Sequence, residues 1–222
     1  MIDNVFRARL PRYAGPLLAL YARMGLTPNH VTLVGFAIAI LASIAVARGQ
    51  GWLALVLWWG SRVADGTDGL YARRTGQATS FGSYLDIVLD MAAYGAMVLG
   101  FAAAVPELGP QWLTILFLYI LCITSALALG SQEERLAHRP RDDRGLRLGA
   151  GLAEGGETGI AYSIFLIFPG QLALTTTIWI CVLALTVVLR TLLAYRLLRD
   201  PLPVSAAGSE SGPSATRSSL DL

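Results

Sequence analysis

The sequence predicts an all-α integral membrane protein: six transmembrane helices, an N-terminal interfacial helix, and both termini in the cytoplasm. Three observations predict it. The chain is 55% hydrophobic, with mean hydropathy +0.56 and only 14% charged residues, where a soluble domain carries nearer a quarter. Apolar runs of about 17–23 residues recur along it, each long enough to cross a bilayer as a helix. Its arginines gather on alternate connections between those runs.

The elements follow in chain order. Residues 1–25 form a polar lead in which 7–24 read as an interfacial helix. Leu10, Leu17, Leu18 and Leu20 face lipid there, while Arg7, Arg9, Arg12 and Arg23 meet head groups. Arginines ahead of an apolar run ending in Ala45-Val46-Ala47 imitate a signal peptide. The polar lead is too long for one, and five more spans follow. Thr27-Pro28-Asn29 starts the first span, with Thr27 as N-cap and Pro28 at the first helical position. The spans run approximately over 31–47, 51–70, 83–104, 111–130, 150–168 and 172–193. The second and fifth are the least regular, interrupted by Gly60 and by Gly155-Gly156. Residues 26–198 make one helical domain without an internal repeat. Residues 199–222, rich in Ser, Gly, Pro and Ala, make a tail predicted to be disordered.

Orientation comes from the loops. Arginines precede the first span, follow the second at Arg73 and Arg74, crowd the 135–147 connection, and close the chain at Arg190, Arg196 and Arg199. The other three connections hold only Arg48. The positive-inside bias then puts residues 65–90 at the cytoplasmic ends of spans two and three.

Several chemistries are excluded. A net charge of +2 is too small for a nucleic-acid partner. Cys122 and Cys181 lie singly in apolar runs and match no zinc or redox spacing, so they read as packing. His30 and His138 are isolated and form no metal site.

The chemistry concentrates in residues 65–90, DGTDGLYARRTGQATSFGSYLDIVLD. A carboxylate near hydrocarbon is costly and normally has a partner or a function. Asp65 and Asp68 share one helix face, as do Asp86 and Asp90. The connection at 73–81 is short enough for two antiparallel helices to bring both pairs together. Four such acids repel unless cations neutralise them. Oxygen-only ligands suit Mg²⁺ or Mn²⁺, and a pair of such ions is a clamp for phosphoryl transfer. Gly66, Gly69, Gly76 and Gly82 remove bulk around the acids, so a nucleotide or phosphate can approach the backbone. Arg73 is placed to pair with a phosphate oxygen. The plainer alternative is acids paired with arginines at a solvated helix end, which fits one acid better than four.

The spacing Asp65-Gly-Thr-Asp68-Gly69-Leu-Tyr-Ala72-Arg73, eight residues, Gly82, three residues, Asp86, three residues, Asp90 resembles the signature of the CDP-alcohol phosphotransferase family at every fixed position. Thr27-Pro28-Asn29-His30-Val31-Thr32 resembles that family's lead into the first span, and the likeness covers about residues 15–195. The resemblance implies a membrane enzyme of phospholipid biosynthesis. Such an enzyme passes a phosphatidyl group from a CDP-linked lipid such as CDP-diacylglycerol to an acceptor alcohol and releases CMP. It implies two divalent ions, Mg²⁺ or Mn²⁺, held by Asp65, Asp68, Asp86 and Asp90, with Asp90 also the general base. Asn29, Gly69, Ala72, Arg73, Thr79 and Gly82 would bind the CDP portion. A homodimer in a bacterial inner membrane, its site on the cytoplasmic side, is implied as well.

The acceptor is less legible. Glycerol 3-phosphate, inositol or its phosphate, serine and a less usual polyol are candidates. Arg144 and Arg147 in the 135–147 loop, with Arg190, are candidate contacts for a phosphorylated acceptor; equally, they serve the positive-inside bias and anionic lipid. Residues 151–158, GLAEGGET, carry Glu154 and Glu157, whereas several bacterial members of the family it resembles that use phosphorylated acceptors carry arginines near the corresponding place. These acids point toward an uncharged or amine-bearing alcohol, or toward pairing with Arg147. Two other classes make different demands. A transporter would spread acids across several spans near mid-bilayer, and a non-catalytic lipid-binding relative would show a damaged signature.

Overall fold

The structure, a computed structural model, describes residues 14–137 and 155–199. The described residues are helical, without strands. Gly15–Arg23 forms α1, a helix within the stretch expected to be one; the rest of the lead, the loop around Arg144, and the tail from residue 200 lie outside the described residues. Next come α2 (Pro28–Ala47), α3 (Gly51–Thr75) and α4 (Ser80–Ala104). After a 3-10 turn at Pro106–Leu108 come α5 (Gly109–Ala137), α6 (Gly155–Ile167) and, past a second such turn, α7 (Leu172–Leu198).

The helix ends follow local chemistry. Thr27 caps α2 as expected. Its hydroxyl oxygen accepts from the His30 N–H, and His30 Nδ1 accepts from the Thr27 N–H, each at 3.3 Å. His30 therefore completes a reciprocal cap that satisfies two orphan donors. Gly76 ends α3 in the left-handed region at φ +67, where a side chain is strained. Nothing lies near its Cβ position, so the turn itself accounts for a glycine here. Thr79 caps α4, its Oγ1 accepting from the Gly82 N–H at 3.0 Å.

Four segments are long and apolar enough to cross a membrane: Pro28–Ala47, Ser80–Ala104, Pro106–Gln132 and Pro169–Leu198. They make the chain an integral membrane protein and occupy the first, third, fourth and sixth of the expected spans. The other two expected spans fall on α3 and α6. Gly60 does not interrupt α3, which runs unbroken for 25 residues. A mid-helix glycine costs only about 1 kcal/mol, too little to break a helix of this length. α3 is long enough to cross but carries Arg62, Asp65, Asp68, Arg73 and Arg74, which dilute its apolarity. α6 is described from Gly155 to Ile167, the later part of the expected fifth span at 150–168.

α2 is the centre of the site-bearing half. It packs along both α3 and α4, while those two helices touch each other only in a small patch. Small residues allow this: Ala39, Ala42 and Ala45 are buried on α2, and Gly35 meets Ala64 of α3. Close approach of this kind is how helices associate where lipid removes the hydrophobic drive. α5 packs on α7, and α6 leans on α3 and α7. An aromatic seam joins the halves. Trp58 lies 5.9 Å from Tyr94 and 5.1 Å from Tyr162, and Phe101 stacks on Trp112 at 5.4 Å. Cys122 packs in this core, as expected, whereas Cys181 lies on the outer surface. Leu113, Phe117 and Ile120 of α5 stand exposed with Ile178 and Leu185 of α7, an outer face that lipid tails satisfy.

The α2–α4 crossing sets the first prediction. A Cβ on Gly100 would sit 2.5 Å from the Ser43 carbonyl oxygen. Gly100→Val should lower stability by about 1–3 kcal/mol through overpacking, read as a fall in thermal midpoint in detergent; an unchanged midpoint would refute the tight crossing.

Candidate active site

α3 carries Asp65 and Asp68, and α4 carries Asp86 and Asp90. Asp68 is the deepest, at 4% exposure. Two donors reach it: the Thr32 hydroxyl from the first turns of α2, and the N–H of Gly69. The Pro28 carbonyl lies 3.1 Å from the same Thr32 hydroxyl, fixing where that hydroxyl sits. Charge-assisted bonds of this sort are what a buried carboxylate requires.

Beside Asp68 opens a cleft of about 140 Å³. Asp86 borders it, and so do all six residues assigned to the CDP portion: Asn29, Gly69, Ala72, Arg73, Thr79 and Gly82. Gly82 is there for closeness, since a Cβ would lie 3.2 Å from Asn29 Oδ1 and from Thr79 Oγ1. At Gly69 a Cβ would meet Arg73 Nη1 at 3.4 Å. The floor is thus bare backbone edged by an arginine, suited to a flat or phosphorylated ligand. Pro28, Thr32, Gln77, Ala78 and Ser83 also border the cleft and were missed in the sequence. Thr32 was quoted there only as part of the lead into the first span.

Asp65 and Asp90 lie beyond this lining, in contact with Arg62. The Arg62 guanidinium is ion-paired with Asp90 and lies 3.5 Å from Asp65 Oδ2. It rests on two aromatic rings, 4.6 Å from the Trp58 centroid and 5.2 Å from that of Tyr94, a favourable place for a cation. Sequence reasoning missed Arg62 too. The available signal was a charge inside an otherwise apolar stretch, three residues before Asp65.

The donor set suits a hard divalent cation: four carboxylates and a hydroxyl, all oxygen. Among the described residues no three acids, histidines or cysteines are gathered into a finished cage. The acids stand on two helices with little mutual contact, and a guanidinium supplies positive charge beside two of them. That guanidinium marks the place as one where a cation is favoured.

α1 supports the site from behind. Tyr21 Oη and Thr67 Oγ1 are 3.1 Å apart, and Tyr71 donates to the Leu26 carbonyl at 3.0 Å. Burial pushes the Tyr21 hydroxyl above its ordinary pKa; the Thr67 bond lowers it, and the nearby Asp68 charge adds to the rise.

Of the acceptor candidates, the two described ones, Arg190 and Glu157, do not border the cleft. Arg190 points at α5, donating to the Cys122 carbonyl with Ser125 Oγ 3.3 Å away. Glu157 lies in the first turn of α6 with its Oε2 shielded, where the helix dipole favours an anion. Arg144, Arg147 and Glu154 lie outside the described residues.

Apolar spans carrying an acid-lined, glycine-floored cleft define a membrane enzyme that handles phosphate esters. The sequence model of the CDP-alcohol phosphatidyltransferase family matches residues 25–148; the chain belongs to that family and is a transferase. It is 32% identical to the inner membrane protein YnjF of Escherichia coli, over 78% of this chain and 85% of the relative. It is 29% identical to the archaetidylinositol phosphate synthase of Methanothermobacter thermautotrophicus, over 77% of each. The phosphatidylinositol phosphate synthase of Mycobacterium tuberculosis, solved with CDP-DAG bound, shares the fold at a TM-score of 0.63 and 21% identity, over 83% of this chain and 94% of that one. The same enzyme has been solved with manganese and citrate, and matches at 0.58.

Thr32→Val should cost about 1–3 kcal/mol, because Asp68 stays buried without its hydroxyl donor. Thr32→Ser should recover most of it in the same thermal unfolding series; equal losses for both variants would mean the hydroxyl does not support Asp68.

Proposed function

We propose that the chain passes a phosphatidyl group from CDP-diacylglycerol to the hydroxyl of an inositol phosphate and releases CMP. The observation that carries this reading is one cleft bordered by Asp68, Gly69, Ala72, Arg73, Gly82 and Asp86. The proposed setting is a bacterial inner membrane with the cleft on the cytoplasmic side, in a homodimer.

The steps follow from this chain's residues. Gly69 and Gly82 let the nucleotide and pyrophosphate lie against backbone, between Asn29 and Thr79. Arg73, exposed at the rim, pairs with a phosphate oxygen. Asp65, Asp68, Asp86 and Asp90 are the residues that would hold Mg²⁺ or Mn²⁺, in our reading two ions, which supplies charge neutralisation for the transferred phosphate and the leaving CMP. Asp90 accepts the proton of the acceptor hydroxyl. The acceptor oxygen forms a bond to the lipid-side phosphorus as the bond to CMP breaks, and CMP leaves as the anion.

For the acceptor, support comes from the named products of the relatives, phosphatidylinositol phosphate and archaetidylinositol phosphate. A second reading, an uncharged or amine-bearing alcohol, is favoured by Glu157 and by the engagement of Arg190 with α5. The enzyme in lipid with CDP-diacylglycerol and Mn²⁺ should release CMP with inositol phosphate; release with serine or free inositol alone would favour the second reading. Asp90→Asn should keep nucleotide binding and lose about 10²–10⁴-fold in turnover. Normal turnover by that variant would remove Asp90 from the role of base.

A further inference from the structure

Asp90, the proposed base, is ion-paired with Arg62 in this structure. The guanidinium is held as well as it holds. Its side chain is 10% exposed. Nε lies 3.3 Å from Ser61 Oγ, Nη1 lies 3.4 Å from Tyr94 Oη, and the two rings flank Cζ. An arginine does not shed its proton, so this charge is permanent. The same Nη1 faces one carboxylate from α3 and one from α4.

We propose that Arg62 is the resident counter-cation of the acidic site, pairing with Asp65 and Asp90 in the metal-free enzyme and competing with the divalent cation for them. This rests on the metal-binding reading given above. Without metal, four carboxylates on α3 and α4 repel, and Arg62 ties one helix to the other across a region where they barely touch. With metal, the guanidinium is a like charge beside the incoming ion and must give up its carboxylate oxygens. Arg62 therefore weakens metal binding while protecting the metal-free fold, a trade that a purely structural arginine would not make.

The test uses the full chain in detergent, Arg62→Gln and Arg62→Lys, with free Mn²⁺ followed by electron paramagnetic resonance. Thermal midpoints are taken with and without the ion. Arg62→Gln should bind Mn²⁺ about tenfold more tightly, since a nearby like charge is gone. Its metal-free midpoint should fall, and Mn²⁺ should raise that midpoint more than it raises the unsubstituted enzyme's. Arg62→Lys, which keeps the charge but loses the planar fork and much of the ring stacking, should tighten binding by a smaller factor. It also serves if Arg62→Gln fails to fold. Mn²⁺ affinity unchanged or weakened in the folded variants would overturn this proposal alone. Failure of the unsubstituted enzyme to bind Mn²⁺ would overturn the metal reading and this proposal together.

Discussion

Four carboxylates stand at one end of a bundle made of apolar helices, and the rest of the site is arranged around keeping them there. Burying charge in low dielectric is costly unless each group finds a partner. The partners differ from acid to acid. Asp68 takes a hydroxyl from α2 and a backbone N–H from its own helix. Asp65 and Asp90 share one guanidinium, itself stabilised by two aromatic faces. The acids are thus divided between a deep, hydrogen-bonded position beside the cleft and an ion-paired position behind it.

That division depends on α2. Because α2 lies against both α3 and α4, those helices meet only in a small patch, and the space left between them holds the cleft. Alanines and glycines set the spacing: Gly35 against Ala64, and Gly100 against the backbone at Ser43. The same helix delivers Asn29 and Thr32 from its first turns, where the Thr27–His30 cap fixes its start. Packing and function therefore share residues. A bulkier α2 would move the acids apart as well as destabilise the bundle.

Much was legible in the sequence. The i, i+3 and i, i+4 spacings placed the acids in pairs on helix faces irrespective of what the helices pack against, and the residues that the family resemblance assigned to the CDP portion all border one cleft. Thr27 as a cap and Arg73 as a cleft residue followed from local chemistry. The span count was less legible. The charges that α3 carries for the site dilute its apolarity, so composition marks it less plainly than the four apolar segments. Gly60 shows the same limit: a glycine within an apolar run marks a break in the pattern, yet the helix runs through it.

The sequence by itself determined the family, the helical membrane class and the identity of the acid pairs, because these depend on composition and on spacings within one helix. Tertiary structure alone decided who partners the acids. Thr32 and Asp68 are thirty-six residues apart, and Arg62 and Asp90 twenty-eight. Such pairs form only when separate helices are brought together at a particular register. The rotation of each helix is set by which small residues let it approach its neighbour, and that information resides in the contact between helices rather than in either one.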